Sequence, residues 1–442
     1  MSGPRAVLAT TDIHEEVSGM TRQRLQNSYL KMLTTSAKGI LPDVRTISGC
    51  STEPEISIQG RSRLLMCSPN YLGLANHPSV VRAFQAATER YGAGTVGSGI
   101  LSGYTAAHRQ VEADLAGFMN EEAAIFYNAV SDASAGIITA VVSPPLLPIL
   151  NGVSARALGS CAVFVDSQNH ASLLDAVRLA RPDKTYVYRH CDAEHLGELL
   201  GRSRHARKLV VTDGYFSMSA RVAPLAEIAD LCERSDAMLF VDDAHGTGVF
   251  GENGRGTPEM LGVEDRVDFW VGSTAKGFGV RGGYIAGPRE LVDYLRVSSR
   301  RYVFSGTLPA GIPAAVSEAL RVAAQDPWRR RTVQENASRL REGLRAMGCE
   351  VLGEGHIVPW YIGGDAEVET IAHGLEEAGI FASPIRFPAV AKGEALIRFM
   401  PMASHTEEHI ERTLAACCEA TSRREGRGGE VFRMPVLCGA AA

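Results

Sequence analysis

Several short apolar runs in this chain end on a polar residue: Cys161 to Val165 on Asp166, Lys208 to Thr212 on Asp213, Met238 to Val241 on Asp242, and Phe269 to Gly272 on Ser273. Runs of this kind, rich in β-branched residues and separated by helical stretches, read as buried parallel strands. In an open α/β sheet the ligand crevice lies beyond the carboxyl ends of the strands, so these polar ends should converge on one site. Just past Ser273 comes Lys276, within the small-residue stretch Ser273-Thr-Ala-Lys-Gly-Phe-Gly279. There an amine can approach a bound group closely and lose part of its charge by desolvation, which is what a nucleophilic lysine needs. A lone Asp at a strand end serves equally as a helix cap, and a lone Lys is ordinarily a solvated surface group. It is their concentration at successive strand ends that points to chemistry.

The elements that must hold these groups follow from the same pattern. Helical stretches at Val80 to Tyr91, His108 to Met119 and Pro224 to Arg234 alternate with the apolar runs. This predicts a mostly parallel sheet sandwiched by helices. The organisation predicted is an N-terminal arm over 1–60 with one amphipathic helix at Met20 to Leu33, then a large α/β domain over 61–309. A smaller α+β domain follows over 310–421, with helices at Pro313 to Ala324 and Trp328 to Met347 and short strands from Cys349 to Pro401. A Glu/Arg/Gly-rich tail over 422–442 ends the chain.

Composition narrows the function. The 442 residues carry a net charge of −5, which offers no field for nucleic acid or an anionic membrane surface. No apolar run is long enough to span a bilayer, and the N-terminus lacks the apolar core of a signal peptide. Nine cysteines without a C-x-x-C pair read as free thiols in a reducing, cytoplasmic setting. Gly92-Ala-Gly94-Thr-Val-Gly97 and Gly277-Phe-Gly279-Val-Arg-Gly282 both spell G-x-G-x-x-G. A dinucleotide fingerprint must follow a strand and open a helix. The first follows a helical segment and the second runs into the strand-like Gly283-Tyr-Ile-Ala. The scattered histidines show no metal-ligand spacing, so no metal site is expected.

Val241-Asp-Asp-Ala-His-Gly-Thr-Gly248 followed by Gly272-Ser-Thr-Ala-Lys-Gly-Phe-Gly279 resembles the α-oxoamine synthases, a family of fold-type I enzymes dependent on pyridoxal 5′-phosphate. Further matches, in order, are Asn70-Tyr-Leu-Gly-Leu-Ala75, Ser102-Gly-Tyr-Thr-Ala-Ala-His108, Asn169-His-Ala-Ser-Leu-Leu174, Thr212-Asp-Gly-Tyr-Phe-Ser-Met218, Phe304-Ser-Gly-Thr-Leu-Pro309, and Arg398 ahead of His405-Thr406. The likeness runs from about residue 60 to 415. It implies a decarboxylative condensation of a small amino acid with an acyl thioester, carried by coenzyme A or an acyl carrier protein. The products are an α-amino ketone, carbon dioxide and free thiol.

The resemblance also implies roles. Lys276 holds the cofactor as a Schiff base and then acts as base at the substrate α carbon. Asp242 pairs with the ring nitrogen. His245 and Ser217 bond the phenolic oxygen, and His108 stacks on the ring. Ser273, with the backbone at Ala129 and Val130, holds the phosphate. Ser305 reaches the phosphate of a second subunit, so a homodimer with shared active sites is implied. Asn70 and Arg398 meet the amino-acid carboxylate. An aminotransferase would share Asp242 and Lys276 but usually stacks an aromatic residue where His108 is expected. A noncatalytic partner subunit would lack the lysine.

The chain departs from the family pattern at several points. It has Ser219-Ala220-Arg221 where Asp-Gly-Asp is usual, Asn128-Ala129-Val130 where Ser-Gly-aromatic is common, and Asp213 where Glu is frequent. It also has an apparent insertion at Pro144 to Ser160 and a single arginine in Leu396-Ile-Arg398.

Overall fold

A computed structural model describes residues 45–145 and 155–425. The predicted helix at Met20 to Leu33, most of the Pro144 to Ser160 insertion and the tail beyond 425 lie outside the described residues. The chain divides after Ile47 into two units, and the second, Ser48–Ala442, carries the fold described below.

The apolar runs form the strands of a seven-stranded sheet. In chain order these are β1 (Ala123–Tyr127), β2 (Cys161–Asp166), β3 (Lys184–Tyr188), β4 (Arg207–Asp213), β5 (Met238–Asp242), β6 (Phe269–Ser273) and β7 (Gly283–Gly287). Their spatial order is β1-β7-β6-β5-β4-β2-β3. Strands β3, β2, β4, β5 and β6 run parallel, and β7 lies antiparallel to both β6 and β1.

Because side chains alternate along a strand, each run feeds two cores. Ile125, Val163, Val211, Phe240, Val271 and Ile285 pack on one face against α3 (Val130–Val142), α4 (Ala171–Ala180) and α7 (Arg289–Ser298). On the opposite face, Phe126, Trp270 and Tyr284 meet α2 (Ala106–Met119) and α8 (Gly311–Gln325). Phe164, Val210, Leu239 and Val241 meet α5 (Ala193–Arg202) and α6 (Leu225–Arg234). With both faces covered, the inner strands need apolar residues at every position, which is why the sequence shows continuous runs rather than alternation. Helix α1 (Pro78–Tyr91) packs against α8.

A separate core gathers residues from α9 (Trp328–Ala346), α10 (Asp365–Glu377), α11 (Glu407–Glu425) and the strand β8 (Val358–Gly363) with its antiparallel neighbour β10 (Ala395–Phe399), which also pairs with β9 (Ser383–Ile385). Leu64 and Met66, far earlier in the chain, are buried in the same core. Among the described residues no helix is long and apolar enough to cross a membrane.

Candidate active site

Parallel pairing puts Asp213 and Asp242 side by side, as register partners at the carboxyl ends of β4 and β5. Both are buried. Asp242 Oδ1 accepts the Ala244 N–H at 3.1 Å, and Asp213 Oδ2 accepts the His170 N–H at 2.9 Å. Burial pushes both carboxyls above their ordinary range, Asp213 the further of the two, with the Asp242 charge adding to its shift. Lys276 responds in the opposite sense. Burial lowers the pKa of its ammonium, while the carboxylates of Asp242 and Asp213 pull it back up. An amine poised between desolvation and two carboxylates can exchange its proton, as catalytic lysines must. Asp243, next in sequence, turns away: its carboxyl accepts from Thr257 Oγ1 at 2.7 Å and Thr257 N at 2.8 Å, and burial raises its pKa to about 7.

His245 sits near this cluster with Nδ1 2.7 Å from the hydroxyl of Tyr71. Burial, reinforced by Lys276 and Arg398, pushes the imidazole pKa well down, and burial pushes that of the Tyr71 phenol up. Both groups are therefore neutral. The other neighbour of the Tyr71 hydroxyl is the Met400 sulfur at 3.7 Å, a weak acceptor. The phenol accordingly donates to Nδ1, and the ring hydrogen of His245 resides on Nε2. Tyr71 lies in the Asn70–Ala75 motif, whose residue types and spacing give no sign of this bond.

Arg398, on β10, donates from Nη1 to Ser217 Oγ at 3.2 Å, while its buried Nε has no partner. Ser217, expected at the phenolic oxygen, is thus seated against Arg398. Asn70 is buried and largely committed to its own loop. Its Oδ1 accepts from Leu74 N and Ala75 N at 3.1 and 3.2 Å, and Nδ2 donates to the Thr52 carbonyl at 3.1 Å. One Nδ2 hydrogen remains.

Helix α3 opens at Val130 with Ala129 as its N-cap and no side-chain cap, so its leading N–H groups point outward. Ser273 is the register partner of Gly283, and a Cβ at Gly283 would collide with the Val130 nitrogen. Only glycine lets β7 pass this close, and its absent side chain brings Ser273 beside the helix end. The buried Ser273 Oγ accepts from Ala275 N at 3.2 Å, and the buried Thr274 hydroxyl has no partner. Ser305 Oγ accepts from Asn128 Nδ2 of its own chain at 3.2 Å, beside the same helix entrance.

His108, expected to stack on a cofactor ring, lies in the first turn of α2. Thr105 caps α2, and His108 Nδ1 reciprocates by accepting the Thr105 N–H at 3.2 Å. Its Nε2 lies 2.9 Å from the Leu308 carbonyl, and Glu112 is the charged group that acts on it. Both ring nitrogens are committed to scaffold. His170, exposed at the N-cap of α4, is the histidine within electrostatic reach of Asp242, Lys276 and Arg398. The signal that could have found it was present: His170 comes four residues after the Asp166 strand end.

A phosphorylated pyridine aldehyde fits these groups. They comprise a lysine for the aldehyde, a buried carboxylate for the ring nitrogen, a neutral N–H donor, and an uncapped helix end with hydroxyls for the phosphate. The family model for aminotransferase class I and II matches residues 62–416. The chain is 38% identical over 361 residues to the 8-amino-7-oxononanoate synthase of Bacillus pumilus, covering 81% of this chain and 88% of that one. To the enzyme of the same name from Anaeromyxobacter dehalogenans it is 39% identical over 398 residues, 90% of this chain and 96% of that one. The structure of serine palmitoyltransferase from Sphingomonas wittichii superposes with a TM-score of 0.81 at 30% identity, over 90% of this chain and 98% of that one. A crevice of this make-up, within a fold and sequence so matched, places the chain in the aminotransferase class I and II family. Within it the chain belongs to the α-oxoamine synthases, pyridoxal phosphate-dependent acyltransferases that join an amino acid to an acyl thioester with loss of carbon dioxide.

Proposed function

We propose that this chain condenses a small amino acid with an acyl thioester of coenzyme A or an acyl carrier protein, with Lys276 as cofactor anchor and base. The observation that carries this reading is the side-by-side placement of the buried Asp213 and Asp242 at the carboxyl ends of β4 and β5, with Lys276 acted on by both carboxylates. Pyridoxal phosphate, when bound, supplies the electron sink for bond-breaking at the substrate α carbon. Asp242 holds the proton on the ring nitrogen by charge pairing. His245 presents its Nε2 hydrogen to the phenolic oxygen because Tyr71 occupies Nδ1. His170 covers the ring face. The N–H groups following Ala129 and Val130, with Ser273, grip the phosphate. Arg398, through its unpartnered Nε, and the remaining Nδ2 hydrogen of Asn70 orient the substrate carboxylate. Lys276, once its nitrogen is released by the incoming amino acid, takes the α proton as general base.

A homodimer is part of this reading. Val96, Leu101 and Phe304 are 99%, 82% and 73% exposed, and the Ser98–Gly306 bridge brings their loops together. Apolar surface gathered in this way marks an interface. Sedimentation at the mass of a monomer would sink that part. Free thiols at every described cysteine suit a reducing cytoplasm.

The test of the whole reading uses Lys276→Ala and Lys276→Arg. Both are expected to lose the visible absorbance of lysine-bound cofactor and all thiol release that depends on added amino acid. Turnover retained in either variant overturns the assignment.

A further inference from the structure

Next to the crevice, the polar end of β2 takes part in a second constellation that the condensation does not use. His190, immediately beyond β3, has Nδ1 3.0 Å from Asp166 Oδ1 and Nε2 3.0 Å from Ser219 Oγ. The carboxylate is 1% exposed. Its position is set by backbone donors: Gln168 N reaches Oδ1 and Cys191 N reaches Oδ2, both at 2.8 Å. The imidazole stands edge-on to Phe216, with ring centroids 4.5 Å apart and planes at 88°, so its orientation is held from the side as well. Ser219 Oγ makes no other hydrogen bond among the described residues. Cys191 Sγ lies 3.7 Å from the ring, and Asp166, His190 and Cys191 together could gather round a cation. Hydrogen bonds already occupy both imidazole nitrogens and both carboxylate oxygens, which favours a proton relay over a metal.

We propose that Asp166, His190 and Ser219 form a second acyl-transfer centre, with Ser219 as nucleophile, that hydrolyses activated acyl esters and thioesters. The connectivity is the one this chemistry needs: carboxylate to Nδ1, Nε2 to hydroxyl, so that the acid fixes the tautomer in which Nε2 is a free base. Ser219 is partly exposed, and it sits on the turn between the paired segments Tyr215–Phe216 and Arg221–Val222. The same turn carries Ser217, which bonds Arg398 in the crevice, so the Ser219 hydroxyl lies on a segment that also reaches the condensation site. This is also the stretch where the chain departs from the family pattern. That thioesters reach the centre rests on the function proposed above, whereas the nucleophilicity of Ser219 does not.

The step balances with water as the only co-reactant. Ser219 Oγ bonds to the acyl carbonyl carbon as its proton passes to His190 Nε2. The carbon–sulfur bond breaks, and the thiol leaves with that proton, leaving an ester on Ser219. Water, deprotonated by His190, then attacks the ester. The carboxylic acid is released and the Ser219 hydroxyl is restored.

The test treats the holoenzyme with an alkyl fluorophosphonate and, separately, with p-nitrophenyl acetate, and maps adducts by peptide mass spectrometry. Ser219 is expected to be the modified residue with both probes. Its labelling rate should fall at least tenfold in His190→Gln and its adduct should vanish in Ser219→Ala. Borohydride reduction of the same samples reports whether cofactor is attached at Lys276. Cofactor on Lys276 with Ser219 unmodified by either probe overturns this proposal alone. Ser219 modified without cofactor on Lys276 overturns the preceding reading and supports this one.

Discussion

Replacing Tyr71 with Phe removes one buried hydroxyl and little else, which makes it a clean probe of the tautomer argument. In the native crevice the phenol lies 2.7 Å from His245 Nδ1, and by donating there it leaves on Nε2 the hydrogen proposed to meet the cofactor. In the variant without cofactor, the imidazole is free to carry its hydrogen on Nδ1 instead. Cofactor binding then demands the hydrogen back on Nε2, leaving Nδ1 a buried acceptor with no partner. Such an orphaned group costs about 1–3 kcal/mol, and since 1.4 kcal/mol is tenfold, cofactor dissociation should rise by roughly 5- to 150-fold. The assay is equilibrium titration of apoenzyme with pyridoxal phosphate, followed by absorbance, for Tyr71→Phe, His245→Asn and the double variant. The penalty for Tyr71→Phe should largely disappear in the His245→Asn background, because the group it orients is gone. An unchanged dissociation constant in the single variant, or the same penalty in both backgrounds, would refute the reasoning.

The remaining predictions concern the other histidines. His108→Gln should lower stability by about 1 kcal/mol, the worth of a helix cap, and leave the visible spectrum of the loaded enzyme in place. His170→Ala should perturb that spectrum and cut turnover, and the opposite assignment of effects would restore His108 to the ring. His356 and His405 are held neutral by burial, their pKa values lowered from 6.5 to about 3. Between those values the unfolded chain binds more protons than the folded one. Their stability contribution is therefore whole above pH 6.5 and falls as pH drops toward 3, by about 1.4 kcal/mol per pH unit for each group. Asp243, with its pKa raised from 3.8 to about 7, pulls the other way across much of the same range. Comparing urea midpoints of the native chain and His356→Phe near neutrality and in mild acid isolates one histidine. Equal pH slopes in the two proteins would contradict the assignment.

Much of the scaffold was legible because its signals are local. A run such as Cys161 to Val165 must be apolar at every position if both faces of its strand are covered, and a strand ending on Asp or Ser delivers that group to the crevice wherever its neighbours lie. For this reason the sequence alone determined the strands, their polar ends, and the proximity of Lys276 to Asp242. The resemblance pointed to His108 for the ring face, yet His108 and His170 both lie at the start of a helix. What separates them is where each helix packs. The Thr105 cap and the Leu308 carbonyl claim His108, while His170 emerges beside Asp213. The sequence could not find the bond from Tyr71 to His245, whose partners are 174 residues apart, or the chain from Asp166 through His190 to Ser219. Hydrogen-bond partners distant in sequence are chosen by the packing of whole elements, and periodicity carries no record of that choice.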